Sequence, residues 1–401
     1  MGLFASQYVD ARRCDVSDCR DDRGEAQPHL CPRRNRGRGA ASRLICALWF
    51  VLAAAWAQAE PLRIATFNTG LERDGPGLLL RDILRGDDAQ IRAVITVLAN
   101  AAPDIVALQG VDHDHDLHTL RALRDAIALS GPDYPYILAP APNAGRATGL
   151  DMDGDGRVAR GADAQGYGRF VGQGGMAILS RYPIDGAGAR DLSGILWRDV
   201  PGALLPTVGG QPFPSAQAQR IQRLSSVGHW IVPIKAPGGV VHLMPFHAAP
   251  HVFDGPEDRN GRRNHDEIRL WQHVLDGQFG PAPQERFVIL GGATIDPVDG
   301  GGRKAAIRAL LSDRRVIDPR PLRPGPVPAH PDLQGDARLH TVDWPAPGPG
   351  PLRVDYVLPS ADWTVIDAAV HWPPPGVEGH EAAVTASTHR LVWVDLTYGK
   401  P

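Results

Sequence analysis

The sequence predicts a mixed fold of the α/β (α+β) class, built as one large domain. Short apolar runs of strand length recur along the chain, and segments with helical spacing of apolar residues lie between some of them. No internal repeat and no clear linker divides residues 60–401. A chain of 401 residues is long enough for one large domain or two ordinary ones, and the missing linker favours one.

The individual elements follow from these patterns in chain order. Residues 62–67 alternate as a β-strand, residues 89–98 have helical spacing, and the continuous apolar run 105–108 is typical of a buried strand. The remaining predictions are a helix over 118–129, strands over 176–179, 240–244, 287–290, 354–358 and 391–396, and helices after His265 and after Arg303. Three long loops, 140–175, 192–224 and 319–351, either carry binding specificity or are disordered.

Residues 1–59 are predicted to be a leader followed by a secretory signal peptide. An Arg-rich segment precedes the short apolar run 44–56, which is followed by Ala57-Gln58-Ala59. The run is too short for a comfortable transmembrane span, and the alternatives are a membrane anchor or a buried helix. We therefore expect a secreted or periplasmic protein that begins after Ala59 and has no transmembrane segment in its mature form.

The cysteines support this division of the chain. All of them precede the expected cleavage site: Cys14, Cys19, Cys31 and Cys46. The mature protein would then have neither a disulfide nor a thiolate nucleophile, and a core of this size can supply stability without a disulfide.

The overall charge is close to neutral. A net charge of -3 and a pI of about 6.6 exclude a strong global attraction to nucleic acid or acidic membranes, although a local basic groove remains compatible with this average.

Seven short motifs occur in a fixed order between residues 62 and 396. They are ATFN ending at Asn68, DIVALQ before Gly110, GGMAILSRYPI from Gly174, FHAAP from Phe246, ILGGATIDP from Ile289, RVDYVLPS from Arg353 and STHRLVWVDL from Ser387. Together they resemble the endonuclease/exonuclease/phosphatase superfamily, which includes pancreatic deoxyribonuclease-like enzymes, abasic-site nucleases and sphingomyelinases. The resemblance implies a four-layer sandwich of two mainly antiparallel β-sheets, packed face to face, with helices on both outer sides. It also implies phosphoester hydrolysis with Mg²⁺ or Mn²⁺.

The resemblance implies four catalytic residues in this chain. Asn68 matches an Asn that supports the metal and water, and His247 matches a His that contacts phosphate or aids the leaving group. Asp355 and His389 match a carboxylate–imidazole pair in which the acid orients the ring and stabilises its charged form.

Other positions depart from the family pattern. Gly110 stands where the family has a metal-binding Glu, and Thr388 replaces an Asp. Gly292 and Thr294 stand where the family has an Asp and an Asn that act on water. Glycine offers no side-chain ligand and threonine only a neutral hydroxyl, so the usual chemistry would be very slow unless other residues compensate.

The acidic run after Gly110 is one candidate for compensation. Asp112, Asp114 and Asp116 would share one face if the strand continued, because side chains repeat every two residues along a strand. Asp112 is thus a candidate metal ligand, and a solvated acidic loop is the alternative.

The densest polar cluster, residues 254–267, is a second candidate. Arg259 and Arg263 suit phosphate recognition, because a guanidinium presents a fork of donors to an oxyanion. Asn264 is a candidate cap for a helix starting near His265, whose N-terminus would also favour anions. His265 and Asp266 are candidates for a replacement base or metal ligand. The alternative is a salt-bridged loop followed by a capped helix.

A third acidic segment resembles the opening of a calcium loop. Asp151, Asp153 and Asp155 alternate before Gly156, but the twelfth position of such a loop is Ala162 rather than Glu. A Ca²⁺ site and a plain Asp/Gly turn both remain open.

Two functions follow from these observations. The first is a divergent metal-dependent phosphoesterase, and the second is a catalytically inactive binder of a phosphorylated or anionic ligand. The neutral charge favours a phosphorylated small molecule or a lipid head group over nucleic acid.

Overall fold

The structure is a computed structural model that describes residues 60–328 and 330–398. The predicted leader, the signal peptide and the four cysteines lie outside the described residues.

Strands and helices are interspersed along the described chain. The strands are β1 (Leu62–Asn68), β2 (Ile105–Val111), β3 (Tyr136–Leu138), β4 (Gly175–Ser180), β5 (Arg190–Asp191), β6 (Thr207–Val208), β7 (Gln211–Pro212), β8 (Gly228–Ala236), β9 (Gly239–His247), β10 (Phe287–Gly292), β11 (Val342–Trp344), β12 (Gly350–Leu352), β13 (Asp355–Pro359), β14 (Trp363–Val370) and β15 (Val392–Tyr398). The α-helices are α1 (Leu78–Arg85), α2 (Ala89–Ala101), α3 (His118–Ala128), α4 (Ala216–Ile221), α5 (Arg259–Leu275), α6 (Ala305–Leu311) and α7 (His380–Ala386).

Two large sheets form the centre of the fold. The first has the strand order β14-β15-β1-β2-β4-β3, and the second has the order β13-β10-β9-β8-β5. Only β1 with β2 and β9 with β10 run parallel within them, and the other pairs are antiparallel. The predicted pair of mainly antiparallel sheets is confirmed.

Three clusters of buried apolar side chains correspond to the three interfaces of a four-layer sandwich. One joins both sheets, with Ile64 and Ile178 from the first and Val232 and Leu290 from the second. A second cluster packs α1, α2, α3 and α7 on the first sheet, and a third packs α5 and α6 on the second. Burial of this apolar surface is the main force holding the layers together.

The amphipathic helix α2 shows how the sequence sets one of these layers. The Asp88 side chain accepts a hydrogen bond of 2.9 Å from the backbone N–H of Ile91 and so caps the helix. Ile91, Val94 and Leu98 follow at helical spacing and are buried on the sheet side.

The strand register brings the ends of several strands to one edge of the sandwich. His247 on β9 lies opposite Gly292 on β10, and Gly292 lies opposite Asp355 on β13. In the other sheet, Asn68 at the end of β1 lies opposite Gln109 on β2. The residues that end the two parallel pairs are therefore placed to line a common site.

The structure also corrects several element predictions. Helix α5 begins at Arg259 rather than near His265. The predicted loop 192–224 contains β6, β7 and α4, and the Pro-rich loop contains β11 and most of β12. Within the residues that the structure describes, none of the helices has the length and hydropathy of a membrane span.

Candidate active site

A cavity of about 690 Å³ opens at the edge where β1 and β9 end. Its lining residues come from both sheets and from the long loops; they include Asn68, Glu72, Gly110, Tyr167, His247 and Arg259. This volume is in the range of a small-molecule site.

The Asp355–His389 pair predicted from the sequence is formed. The Nδ1 atom of His389 lies 2.8 Å from Oδ2 of Asp355, and both side chains are buried. Thr341 Oγ1 donates a hydrogen bond of 2.9 Å to the same Asp355 oxygen, and Trp344 packs edge-on against the His389 ring. A carboxylate accepting from Nδ1 keeps the proton there and leaves Nε2 of His389 as the acceptor.

Among the residues that the structure describes, two buried polar atoms, one next to this pair and one within it, have no hydrogen-bond partner. They are Nδ1 of His247 and Oδ1 of Asp355. Burial, reinforced by the nearby His389, lowers the pKa of His247 to about 4, so its imidazole is neutral at pH 7.

Gly292 leaves the space that the His247 ring occupies. A Cβ atom at position 292 would lie 2.6 Å from Nδ1 of His247 and 3.5 Å from Oδ1 of Asp355. An aspartate at this position would require the His247 ring to move. The observed position of the ring therefore depends on glycine at position 292.

Gly110 leaves room for a carboxylate that comes from the loop after β1. The residue lies at a β-bulge with φ of 68°, a backbone conformation that favours glycine. A Cβ atom there would lie 2.8 Å from Oδ1 of Asn68 and 3.1 Å from Oε2 of Glu72. The side chain of Glu72, in the loop after β1, thus reaches the space next to position 110. Two oxygen donors meet at this point, and such donors fit Mg²⁺ or Mn²⁺.

Sequence reasoning missed Glu72. The available signal was its place four residues after Asn68, in the loop that follows β1, the strand that pairs with β2 next to Gly110. Carboxylates in the loop after the adjacent parallel strand, rather than downstream of the missing Glu, are therefore the ones to consider.

The run after Gly110 does not continue the strand, which ends at Val111. Asp112 is buried and accepts hydrogen bonds from the backbone N–H groups of Arg73 and Gly174, at 2.9 and 3.0 Å. Burial raises its pKa. Asp114 accepts from the N–H groups of His118 and Thr119 at the start of α3. The expected common strand face is therefore wrong, and Asp112 joins two loops near the cavity.

The two threonines that differ from the family pattern, Thr294 and Thr388, lie in segments held by local hydrogen bonds. Thr294 donates its hydroxyl to the carbonyls of Ala248 and Ala249, which follow β9. Thr388 is exposed, while the neighbouring Ser387 Oγ accepts from the backbone N–H of His389 at 3.0 Å. Both segments position histidines of the site.

The predicted cap at Asn264 is wrong, because α5 begins at Arg259 and Asn264 lies inside it, fully buried. Its Nδ2 donates to the carbonyls of Ala249 and Ala293 and to Oγ1 of Thr294, at 2.7, 2.8 and 3.0 Å. Asn264 thus ties together the segments that follow His247 and Gly292.

Two other residues of this cluster hold loops in place. The Arg263 guanidinium is buried and donates to the carbonyls of Gln165, Arg223, Leu224 and Ser225. Asp266 accepts from Nε1 of Trp197 at 2.7 Å and from the N–H of Leu204 at 2.6 Å. These contacts engage the donors and acceptors expected to bind substrate or metal, because buried polar groups must find partners.

Arg259 and His265 have different surroundings. Arg259 lines the cavity and donates to the carbonyl of Met152, and burial lowers its pKa. His265 Nδ1 lies 2.9 Å from Oδ1 of Asp266, and the residue is not among those lining the cavity. Of the four predicted substrate-binding residues, Arg259 is the cation best placed to meet a ligand.

The possible calcium loop brings its three carboxylates together. Ligand oxygens of Asp151, Asp153 and Asp155 lie within 4.8 Å of one another, and Asp153 lines the cavity. Backbone N–H groups already bind them: Oδ1 of Asp151 accepts from Gly154 at 2.6 Å, and Oδ2 accepts from Gly156 at 2.9 Å. The geometry suits either a cation or a self-contained Asx turn.

A sequence profile of the Endonuclease/Exonuclease/phosphatase family matches residues 65–389. Among curated proteins, none is a significant sequence match.

Several solved structures are similar to the chain at low sequence identity. An endonuclease/exonuclease/phosphatase family protein from Leptotrichia buccalis C-1013-b is 15% identical with a TM-score of 0.47, over 84% of this chain and 100% of that chain. A mannosyl-6-phosphatase from Bacteroides thetaiotaomicron VPI-5482 is 15% identical with a TM-score of 0.45, over 84% and 100%. Beta toxin from Staphylococcus aureus with bound magnesium ions is 16% identical with a TM-score of 0.45, over 85% and 100%. Identities this low assign none of these substrates to the chain.

Proposed function

The chain belongs to the endonuclease/exonuclease/phosphatase family, and from this premise we propose that it is a divergent metal-dependent phosphoester hydrolase. The observation that carries the proposal is Glu72: its carboxylate and the Asn68 amide oxygen meet beside Gly110, where a Cβ would lie 3.1 and 2.8 Å from them. The acidic group is thus supplied from another loop rather than lost.

Asn68 and Glu72 would hold the divalent ion. When bound, Mg²⁺ or Mn²⁺ neutralises charge that develops on the phosphoryl oxygens.

The other residues act on the substrate and on protons. His389 is oriented by Asp355, so its Nε2 can accept a proton from water or, once protonated, donate to a phosphoryl oxygen. His247, neutral at pH 7, can donate a hydrogen bond to the phosphoryl group or the leaving group.

The cavity supports a small organic phosphoester as the substrate. Arg259 supplies a cation at its wall, suited to a phosphate. Tyr167 and Phe253 also line the cavity and are 69% and 87% exposed, so aromatic surface is available to pack against an organic group. This combination favours a phosphorylated small molecule or a lipid head group over a nucleic acid.

Export is part of the proposal. The apolar run 44–56 and the Ala57-Gln58-Ala59 segment support cleavage after Ala59 and a secreted or periplasmic mature protein. N-terminal sequencing of the protein purified from cells that produce the full chain tests this. A first residue of Glu60 is expected, whereas a retained N-terminal segment contradicts cleavage.

The test of activity compares a phosphomonoester and a phosphodiester chromogenic substrate with Mg²⁺, Mn²⁺ or Ca²⁺. We expect metal-dependent turnover that falls by about 10²-fold or more in His389→Ala, in line with the usual contribution of general acid–base catalysis. Turnover that is independent of metal, or equal in the variant, would contradict the proposed mechanism.

A second candidate function is supported by Gly292. Because the His247 ring fills the space beside it, no carboxylate at position 292 is available to act on water. A non-catalytic receptor for a phosphorylated or anionic ligand would retain the cavity and Arg259 without needing that group. Saturable ligand binding by a protein without turnover under any of the three metals would favour this second function.

A further inference from the structure

Three buried ligand-type side chains meet outside the cavity. Asp296 and Asp299 belong to the turn after β10, and His340 precedes β11. They are 4%, 6% and 2% exposed. Each offers one ligand atom, and these three atoms lie within 4.8 Å of one another. Ligands around one ion with bonds of about 2.1 Å lie at most about 4.2 Å apart, so a small adjustment closes the site.

The two carboxylates are held by backbone dipoles rather than by cations. Asp296 accepts from the N–H groups of Val298, Asp299 and Arg353, at 2.7, 2.8 and 2.7 Å. Asp299 accepts from Gln334 and Gly335, both at 2.8 Å. Among the described residues, no Lys, Arg or His nitrogen forms an ion pair with either carboxylate. Two adjacent buried carboxylates without a cation are costly, because like charges repel and both lose hydration.

The imidazole gives an independent indication of a ligand. The Nε2 atom of His340 is buried and has no hydrogen-bond partner in the part of the chain that the structure describes. Buried polar atoms normally have one, and the same imidazole offers a ring nitrogen to the cluster with the two carboxylates. A metal ion bound by this cluster would give the imidazole a partner. The carboxylate oxygens also keep lone pairs beyond those used by the N–H groups.

We propose that Asp296, Asp299 and His340 form a second divalent-metal site, separate from Asn68 and Glu72. One imidazole with two carboxylates suits an ion of the manganese or zinc type, whereas Mg²⁺ and Ca²⁺ favour oxygen ligands alone. This proposal does not depend on the proposed hydrolase activity.

The ion would hold the Pro-rich segment against the turn after β10. The residue following His340 is Thr341, whose Oγ1 donates to Oδ2 of Asp355 at 2.9 Å and accepts from the Asp355 N–H at 3.0 Å. Asp355 in turn contacts His389. The second metal would therefore fix the segment that positions the Asp355–His389 pair, without touching substrate.

The first test measures Mn²⁺ binding to the full chain. The protein is freed of metal with a chelator, excess Mg²⁺ is added to occupy oxygen-only sites, and free Mn²⁺ is counted by electron paramagnetic resonance. Manganese is the probe because the N-terminal thiolates prefer softer ions. We expect one Mn²⁺ per chain, bound at least about 100-fold more weakly by His340→Ala and by Asp299→Asn, since even second-shell substitutions cost about 10- to 100-fold.

Two variants at other acidic positions serve as matched controls. Glu72→Gln and Asp151→Asn remove a carboxylate from the other candidate sites and should leave this binding unchanged. Mn²⁺ should also raise the melting temperature of the unaltered chain and of these controls, but not of His340→Ala. Binding that is insensitive to both His340→Ala and Asp299→Asn, or abolished by Glu72→Gln, overturns the proposal.

A measurement on the unaltered chain covers the case in which the variants do not fold. X-ray absorption of the Mn²⁺-loaded protein should show one imidazole among the ligands, because His340 is part of the site. A coordination shell of oxygen atoms alone would contradict the proposal.

Discussion

At the scale of single residues, the site depends on two glycines whose missing side chains leave space for other polar groups. Glycine at 110 accompanies the approach of Glu72 to Asn68, and glycine at 292 accompanies the position of the His247 ring. In each case a small residue on one strand leaves space for a polar side chain from a neighbouring segment. Whether a carboxylate is available to the site therefore cannot be decided from the residue at the aligned position alone, because a side chain from another segment can occupy the same space.

Glu72→Gln tests whether the Glu72 carboxylate beside Gly110 binds the metal ion. Removing the charge but not the shape should weaken Mg²⁺ binding by at least about tenfold and reduce metal-dependent turnover, because a neutral amide is a poorer ligand for a hard cation. Isothermal titration with Mg²⁺ measures the affinity. The melting temperature without metal should stay nearly constant, since Glu72 is exposed.

Glu378→Gln is the matched control, an exposed glutamate that is not among the cavity-lining residues. It should leave Mg²⁺ affinity unchanged. Equal affinities for Glu72→Gln and the unaltered protein would remove Glu72 from the metal site.

Buried histidines give a prediction about pH. Burial lowers the pKa of His247 to about 4 and that of His229 to about 3, from an ordinary value of 6.5. Between these values and pH 6.5 the unfolded chain binds more protons than the folded one, so stability should rise with pH. The contribution is complete above about pH 6.5 and is lost as pH falls toward 4.

The measurement is the free energy of unfolding of the unaltered protein and of His247→Gln at several pH values. The buried Glu267, whose pKa is raised, acts in the opposite direction, so the difference between the two proteins isolates the histidine. The variant should have the shallower slope between pH 4 and 6.5. His118→Gln, at an exposed histidine, should keep the original slope. Parallel slopes for His247→Gln and the unaltered protein would refute the low pKa of His247.

At the scale of elements, helix α5 holds in place the chain segments that surround the cavity. Arg263, Asn264, Asp266 and Glu267 are buried along it and hydrogen-bond to five separate chain segments, at Gln165, 197–204, 224–226, Ala249 and Ala293. Their charged and polar character suggested an exposed, ligand-binding loop. Instead, these side chains anchor the long loops that wall the cavity.

Asn264→Ala tests this anchoring role. Removing the amide takes the Asn264 donor from the carbonyls of Ala249 and Ala293, and the single hydroxyl proton of Thr294 cannot serve both. We therefore expect a loss of about 2–3 kcal/mol in the free energy of unfolding. Chemical denaturation measures it. Arg269→Ala, at an exposed position of the same helix, should change stability by less than about 0.5 kcal/mol. A loss of similar size in both variants would contradict the specific role of Asn264.

The same helix shows where prediction from sequence succeeds and where it fails. Apolar runs such as 105–108 and 287–290 identified central strands, because burial on both faces requires continuous apolar residues. The start of α5 was missed, because Arg259, Arg263 and Asp266 interrupt its apolar pattern. The burial of Arg263 and Asp266 and the position of Arg259 depend on partners that are distant in sequence, such as Met152 for Arg259 and Trp197 for Asp266. Local patterns carry no information about such partners.

At the scale of the whole molecule, the layered fold was predictable and the site only in part. The order of the motifs identified the two sheets, and Asp355 at the start of β13 in one sheet lies beside His389, which precedes β15 of the other, as expected. The Glu72–Gly110 relation depends on the pairing of β1 with β2 and on a bulge, and neither is visible in either segment alone.

The near-neutral chain and its small cavity give a last prediction, which concerns substrate size. A protein that binds duplex DNA through several phosphates loses affinity with salt at a log–log slope of about -0.9 per phosphate contact. A net charge of -3 and a cavity of about 690 Å³ favour recognition of a single phosphate instead. We therefore expect kcat/KM for a small phosphoester to change with a slope no steeper than about -1 between low and physiological salt. Under the same conditions a duplex oligonucleotide should be cleaved more slowly than the small ester. Faster cleavage of the duplex, with a slope of about -4 or steeper, would instead indicate a nucleic-acid groove formed by local basic residues despite the overall charge.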